Sequence, residues 1–247
     1  MKVLLVTIAI GEKYLQEYET LFKKSQEEYA KKYGYDFKVV AEFLDKNIQN
    51  KSTISFNKTL VACQEWSTDY DFIIFIDADI FININSPPIH NYIEYGNCIG
   101  VIDEYSQPSK EKRLNIQRIN GWETCATDYY KLSGFDIQTD MVLNSGVLVL
   151  QPKLHGTFLQ KIYNDYVIQS ISSPRGFHFE QSCVGYELQK AKKYKILDNK
   201  FNAIWNLTKS DDPNINLEDY FTQNYFIHFA GHVDYHKVNL LNNIHTN

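Results

Sequence analysis

The segment FIIFIDADIFI, residues 72–82, interrupts a long apolar run with two carboxylates. Its first five residues are all apolar, which is typical of a strand buried inside a parallel sheet. Asp77 and Asp79 come directly after them, so they lie at the carboxyl end of that strand. In open α/β sheets this edge is where ligands bind. The segment therefore predicts an α/β fold with a polar site at this edge.

The two aspartates are predicted to share a cation. Removing a charge from water costs several kcal/mol unless the charge is paired. In an extended segment, residues i and i+2 point the same way, so Asp77 and Asp79 would converge on one ion. Carboxylates suit Mg²⁺ or Mn²⁺, which commonly bridge protein oxygens to a diphosphate. The structural alternative is that one Asp caps the next turn and the other is exposed.

The chain on either side of this segment alternates strands and helices. Strands are predicted at 2–8, 36–40, 72–76, 97–102, 141–150 and 225–229, and helices at 12–33, 56–67, 154–169 and 180–193. Such alternation predicts an α/β sandwich with a mostly parallel sheet. Residues 104–139 are polar and weakly periodic, so they are predicted to be irregular, and a long irregular stretch in a compact domain is usually functional or mobile.

Length and composition narrow the classes of function. The chain has 247 residues, 44% of them hydrophobic, which is enough for one domain with its own core. The net charge of −5 argues against a nucleic-acid partner. The apolar run at the N-terminus is too short to span a membrane, so no transmembrane segment is expected. The four cysteines form no C-x-x-C pair, and scattered thiols favour a reducing compartment, hence a cytoplasmic location.

An Asp-x-Asp pair at a strand end also occurs in phosphatases of the haloacid-dehalogenase type, where one Asp is the nucleophile and the other the acid. Those enzymes carry the pair on their first strand, with Thr or Val two residues after the second Asp. Here a strand–helix–strand unit precedes the pair, and Phe81 stands at the Thr/Val place. The phosphatase is therefore a secondary alternative.

Four blocks of the sequence, in chain order, carry a wider pattern. They are VTIAIGEKY at 6–14, FNKTLVACQEW at 56–66 with FIDADIFI at 75–82, LNSGVLVLQPK at 143–153, and Glu180-Gln181 with IHFAGH at 227–232. Together they resemble the GT-A glycosyltransferases, especially family 8, which includes glycogenin, and family 34. The resemblance runs over residues 3–237 and is weakest at 104–139.

The resemblance implies a fold and an activity. The fold would be a single GT-A domain over 1–247, a Rossmann-like α/β/α sandwich with a mostly parallel mixed sheet. Residues 1–103 would form the nucleotide-binding half, and residues 104–247 the acceptor-side half, which closes with the histidine loop. The activity would be transfer of a sugar from a nucleoside diphosphate sugar, with UDP-sugar favoured, to a glycan or another hydroxyl acceptor. The cofactor would be Mn²⁺ or Mg²⁺.

The first two blocks assign residues to the nucleotide end of the donor. By the family pattern, Ile8, Ala9 and Ile10 would lie against the base and ribose. Tyr14 would stack on the base. Lys58 matches the family lysine that contacts the donor.

The remaining assignments concern the diphosphate and the metal. His228 matches the histidine that completes the metal site of Asp77 and Asp79. Ala78, between the two aspartates, is assigned to the donor, and Gly231 matches the glycine whose backbone approaches the diphosphate.

One departure affects the phosphate contacts. Asp234 takes the place of the phosphate-binding lysine of family 8. The candidates to replace that lysine are Lys237, His236 and His232.

The reacting centre is assigned to three polar residues. Asn144, Glu180 and Gln181 would contact the donor sugar near the reacting carbon. Both families retain the configuration of the sugar. Glu180 is the nucleophile candidate by analogy with retaining glycosidases, although front-face attack assisted by the leaving diphosphate is preferred. In an inverting enzyme a carboxylate such as Glu180 would deprotonate the acceptor.

The acceptor side is assigned by position and composition alone. Residues 104–139, with Trp122, Tyr129 and Tyr130, are predicted to shape it, because long loops often close over a donor. A non-catalytic domain that binds nucleotide sugars or glycans is the third interpretation of the chain.

Overall fold

Six strands form one sheet through the centre of the computed structural model, which describes residues 1–176, 178–231 and 235–245. The strands of this sheet and of a second, smaller one are β1 (Val3–Ile8), β2 (Asp36–Val40), β3 (Phe72–Asp77), β4 (Ile80–Ile82), β5 (Ile99–Asp103), β6 (Leu143–Leu150), β7 (Tyr194–Ile196), β8 (Ala203–Ile204) and β9 (Phe226–His228). The large sheet has the order β2-β1-β3-β6-β5-β7. Strand β6 is antiparallel to β3 and β5, and the other pairs are parallel, which confirms the mostly parallel mixed sheet.

Helices cover both faces of this sheet. They are α1 (Glu12–Leu21), α2 (Lys23–Tyr33), α3 (Asn57–Leu60), α4 (Lys110–Asn120), α5 (Ala126–Lys131), α6 (Pro152–Ser170), α7 (His178–Ala191), α8 (Trp205–Asp211), α9 (Leu217–Gln223) and α10 (Tyr235–His245). In β1, Leu4 and Val6 belong to the apolar cluster with Leu159 of α6, while Leu5 belongs to the cluster with Tyr29 of α2. This alternation explains why the buried strands are apolar on both faces.

A second sheet of three strands, in the order β4-β9-β8, lies beyond the end of β3. Strand β4 pairs antiparallel with β9, and the register sets Ile80 opposite His228. The N–H of Phe229 also donates to the carbonyl oxygen of Asp79 at 3.0 Å. The pairing therefore brings the histidine of the last strand beside the aspartates at the end of β3.

Several predicted elements were wrong in detail. The predicted helix 12–33 is two helices with Phe22 between them, and in the predicted helix 56–67 only Asn57–Leu60 is α-helical. Residues 104–139 were predicted to be irregular but contain α4 and α5. The Ser109 hydroxyl caps α4, and Gly121 ends it at φ 67°.

Other elements were not predicted at all. They are β4, β7, β8, α8, α9 and α10. In the described part of the chain, no helix combines the length and the apolar character needed to cross a membrane.

The fully buried His155 at the start of α6 makes the stability of the fold depend on pH. Its Nδ1 accepts from the N–H of Gln151 at 2.9 Å, and its Nε2 lies 3.2 Å from the carbonyl oxygen of Gly96. Burial lowers the pKa of His155 from 6.5 to about 4. Between pH 6.5 and about pH 4, His155 therefore binds a proton in the unfolded chain but not in the folded chain. The free energy of unfolding falls as the pH drops through this range.

Between pH 7 and pH 5, His155 is expected to cost the protein about 2 kcal/mol of unfolding free energy. Urea unfolding at both pH values measures this loss, and His155→Gln should reduce it by about that amount. The matched control is His178→Gln, a histidine substitution at an exposed position. An equal loss in the wild type and in His155→Gln would contradict the assignment.

Candidate active site

A cavity of about 930 Å³ opens along the edge of the large sheet that the sequence singled out. Asp77 ends β3, Glu104 comes directly after β5, and Asn144 lies at the start of the antiparallel β6, so all three reach the same edge. The predicted site residues that line the cavity are Ile8, Ile10, Tyr14, Lys58, Asp77, Ala78, Asp79, Asn144, Glu180, Gln181, His228 and Gly231.

Two predicted donor-binding residues do not line this cavity. Ala9 is fully buried in an apolar cluster with Phe81. The Lys237 ammonium lies over the Trp205 ring, 4.8 Å from its centroid. The other candidates for the missing phosphate-binding lysine, the side chains of His232 and His236, lie outside the described residues, as does Asp234.

Asp77, Asp79 and His228 each bring one ligand atom into a group whose atoms lie within 4.8 Å of one another. His228 Nε2 is 3.2 Å from Asp79 Oδ1 and 3.9 Å from Asp77 Oδ2. Ala78 and Asp79 form a turn, so the extended-chain reason for the convergence was wrong. This turn brings the two aspartates together, and the pairing of β4 with β9 brings His228 beside them.

The electrostatics of Asp79 and His228 favour an ionised Asp79 carboxylate. Burial raises the pKa of Asp79, but the neighbouring His228 outweighs it, and the pKa of Asp79 is lowered. Burial likewise lowers the pKa of His228, and the Asp79 carboxylate outweighs it, so the pKa of His228 is raised. Both shifts thus have one main cause, the contact between the Asp79 carboxylate and the His228 imidazole.

The donor set fits Mg²⁺ or Mn²⁺. Carboxylate oxygens and one imidazole nitrogen are ligands that these ions accept. His228 Nδ1 lies 2.8 Å from Asn202 Oδ1, which leaves Nε2 toward the carboxylates. Space beside the group is kept by Gly146, where a Cβ would come 2.7 Å from His228 Cε1 and 3.1 Å from Asp77 Oδ2.

A buried ion cluster lies beside this group. The Lys58 ammonium is 3.0 Å from Asp77 Oδ1 and 3.4 Å from Glu180 Oε2, and it also donates to the carbonyl and hydroxyl oxygens of Ser145 at 3.3 Å. Burial lowers the pKa of Lys58, but the two carboxylates outweigh it and the net shift is upward. Lys58 is thus a fixed cation between Glu180 and the metal-type group formed by Asp77, Asp79 and His228.

Glu180 is almost fully buried, and its two carboxylate oxygens differ. Oε2 accepts from the Ser145 hydroxyl at 3.2 Å and faces Lys58, whereas Oε1 has no hydrogen-bond partner among the described residues. Burial raises the pKa of Glu180 to about 7, against the opposing effect of Lys58. The free oxygen of a buried carboxyl in a cavity wall is suited to a ligand hydroxyl.

Glu104 is a site residue that the sequence analysis missed. Its Oε1 accepts from the Arg113 guanidinium at 2.6 Å, and its Oε2 accepts from the amides of Asn144 and Gln181, both at 3.0 Å. The Gln181 amide also donates to the Tyr129 hydroxyl at 3.1 Å. The position of Glu104 after an apolar strand, as for Asp77, was a signal that could have found it.

Of the aromatic residues predicted on the acceptor side, two line the cavity. Trp122 is half-exposed, and Tyr129 is buried in the wall. Tyr130 is fully buried and lies outside the cavity, where its hydroxyl accepts from the N–H of Leu143 at 3.3 Å and from Gln189 at 2.9 Å.

Comparisons with known proteins give matches at the level of structure. No family model matches the chain, and no curated protein matches it by sequence. A glycosyltransferase involved in the glycosylation of the major capsid of PBCV-1 superimposes with a TM-score of 0.63 at 14% identity, over 98% of this chain and 99% of the other. The galactosyltransferase LgtC, in complex with donor and acceptor sugar analogs, gives a TM-score of 0.55 at 13% identity, over 100% and 95%.

The bifunctional glycosyltransferase WbbM, in its apo structure, gives a TM-score of 0.54 at 14% identity, over 94% of this chain and 46% of WbbM. The chain has the fold of these glycosyltransferases. The GT-A fold expected from the sequence is thereby confirmed. The choice between family 8 and family 34 stays a prediction.

Proposed function

We propose that the protein is a metal-dependent glycosyltransferase. It moves a sugar from a nucleoside diphosphate sugar, with UDP-sugar favoured, to a hydroxyl acceptor such as a glycan, with retention of configuration. The observation that carries the proposal is the convergence of Asp77, Asp79 and His228 in the wall of a large cavity within a glycosyltransferase fold. The structure of LgtC with sugar analogs supports the same kind of ligand for this fold.

The donor lies across the sheet edge in this proposal. Ile8, Ile10 and Tyr14 provide an apolar wall for the base and ribose, and Asn144 and Gln181 lie at the sugar end. A cavity of this size is in the range of small-molecule sites. Its walls come from both residues 1–103 and residues 104–247, so we propose that the two halves act as one domain.

Asp77, Asp79 and His228 would hold the cation. Bound Mn²⁺ or Mg²⁺ supplies charge neutralisation to the leaving diphosphate. Lys58 holds Asp77 in place, since its ammonium is buried and 3.0 Å from Asp77 Oδ1. The site thus combines two anionic ligands with a fixed cation behind them.

In this proposal Glu180 stabilises the positive charge that develops on the sugar in the transition state, and it does not act as a covalent nucleophile. One of its oxygens is clamped by Lys58 and Ser145, and the other is free to accept a hydrogen bond from the sugar or acceptor. Front-face attack then needs no protein nucleophile. We expect Glu180→Gln to lower kcat by roughly 100-fold without abolishing turnover. A glycosyl adduct on Glu180, detected by mass spectrometry after incubation with donor alone, would contradict this assignment.

A donor screen tests the proposed function. The protein is incubated with Mn²⁺ and a panel of UDP- and GDP-sugars, and release of the nucleoside diphosphate is measured with and without EDTA. Release that depends on Mn²⁺ and is fastest with one UDP-sugar is the expected result. Metal-dependent release of phosphate from monoesters would favour the phosphatase instead. Metal-independent binding of UDP without turnover would favour a non-catalytic binding domain.

A further inference from the structure

A chain of hydrogen bonds links the sugar end of the cavity to the metal-type group. Asn144 Nδ2 donates to Glu104 Oε2 at 3.0 Å, and Asn202 Nδ2 donates to Asn144 Oδ1 at 2.7 Å. Asn202 Oδ1 lies 2.8 Å from His228 Nδ1. Asn202, in the short 3₁₀ helix Asn199–Asn202, was not among the predicted site residues.

The orientation of the Asn144 amide is fixed by two partners, one of which can only accept and the other only donate a hydrogen bond. An ionised carboxylate can only accept, so the Asn144 atom facing Glu104 is the NH₂ group. A backbone N–H can only donate, and the N–H of Gly146 donates to the opposite atom, Asn144 Oδ1, at 2.8 Å. Both contacts require the same orientation of the Asn144 amide.

The orientations of the other two side chains depend on the first. Because Asn144 presents its oxygen to Asn202, the facing atom of Asn202 is its NH₂ group, and Asn202 Oδ1 is turned to His228. An oxygen acceptor at 2.8 Å requires a proton on His228 Nδ1. Nε2, 3.2 Å from Asp79 Oδ1, is then the nitrogen available as a metal ligand.

Burial makes the chain of bonds rigid. Asn202 is fully buried, and Asn144 and His228 are 5% and 4% exposed. A buried amide left without a partner costs about 1–3 kcal/mol, so breaking any one of these hydrogen bonds is unfavourable. A reversed amide would set two oxygens or two NH₂ groups against each other.

We propose that Asn202 is the positioning residue of the metal site. It fixes the ring and the tautomer of His228, and its own direction is set by Asn144, Glu104 and Gly146. The inference rests on the proposed function, because it assumes that Asp77, Asp79 and His228 bind a divalent cation. It adds that the sugar end of the cavity and the metal site are held in one arrangement.

Binding of Mn²⁺ alone, measured by isothermal titration or by loss of the free-ion EPR signal, tests the role of Asn202. Asn202→Leu keeps the branching of the side chain but removes the acceptor, and we expect Mn²⁺ affinity to fall by about 10- to 100-fold. Asn202→Asp keeps an oxygen acceptor for Nδ1–H but sets a carboxylate oxygen against Asn144 Oδ1, so its Mn²⁺ affinity should fall less than in Asn202→Leu without reaching that of the wild type. Asn199→Leu, in the same helical turn but bonded to Ser106, is the control and should bind like the wild type.

A second readout reports the tautomer directly. In the Mg²⁺-bound protein, ¹⁵N NMR should show His228 protonated on Nδ1 in the wild type and should show this state lost or mixed in Asn202→Leu. If the wild type binds no Mn²⁺, the proposed metal site fails. If the wild type binds Mn²⁺ and folded Asn202→Leu binds it equally with an unchanged tautomer, the role of Asn202 is overturned while the metal site stands.

Discussion

Gly146→Ala is expected to weaken Mn²⁺ binding by about 100-fold, the upper end of the effect usually seen when the surroundings of a metal ligand are disturbed. A Cβ at this position would lie 2.7 Å from His228 Cε1, 2.9 Å from Asn144 Oδ1 and 3.1 Å from Asp77 Oδ2. The His228 ring cannot move away from the added methyl group, because it is buried and hydrogen-bonded to Asn202. The methyl group therefore displaces metal ligands or their support.

The measurement is Mn²⁺ titration of folded Gly146→Ala, with urea unfolding alongside it. Overpacking of this kind costs about 1–3 kcal/mol, so the variant should still fold. Gly96→Ala is the control, because a Cβ at Gly96 would meet nothing within 4 Å. Wild-type Mn²⁺ affinity in Gly146→Ala would show that the metal does not bind at this group.

Lys58→Met is expected to lower the unfolding free energy of the metal-free protein by about 3–5 kcal/mol. Lys58 is buried and lies between the carboxylates of Asp77 and Glu180, at 3.0 and 3.4 Å. Methionine fills a similar volume without the charge, so Glu180 is left as a buried acid without its cation. Urea unfolding at pH 7 measures the loss.

Two further variants separate charge from packing at this cluster. Lys58→Met combined with Glu180→Gln removes the ammonium and the buried acid together and should recover a large part of the lost stability. Lys23→Met removes a partly exposed lysine that pairs with Glu19 at 3.5 Å, and it should change stability by less than about 0.5 kcal/mol. An unfolding midpoint in Lys58→Met equal to that of the wild type would show that the cluster contributes no stability.

The sequence sufficed to predict the sheet edge but not all of its polar residues. The apolar run before Asp77 predicts a buried strand, and the residues directly after such a strand lie at the ligand-binding edge. Glu104 follows the apolar strand β5 and could have been found in the same way, whereas the role of Asn202 depends on contacts between distant parts of the chain. Asn202 meets Asn144 and His228 from distant parts of the chain, and no local spacing reports that contact.

The helix α4 shows why residues 104–139 were misjudged. Its buried side includes Arg113 and Gln117 beside Ile116, because it faces the polar cavity instead of an apolar core. The apolar periodicity that identifies a surface helix is therefore weak. Strands β4 and β8 were missed for another reason, since three and two residues are too few to show an alternating pattern.

His228 shows what the resemblance added. An isolated histidine in an apolar segment is also compatible with a core position, and only the likeness to GT-A enzymes assigned it to a metal. The structure sets its Nε2 3.2 Å from Asp79 Oδ1 through the pairing of β9 with β4. His228 is far from Asp77 and Asp79 in the sequence, so it meets them only in the folded chain.

The most direct test of the central claim is Mn²⁺-dependent cleavage of the preferred UDP-sugar by the wild type and by Asp79→Asn. Asparagine keeps the shape of the side chain but removes the charge beside His228. We predict UDP release that requires Mn²⁺ in the wild type and falls by roughly 1,000-fold in Asp79→Asn. Release of UDP that proceeds equally without metal, or equally in Asp79→Asn, would contradict the claim that Asp77, Asp79 and His228 hold the cation that binds the diphosphate.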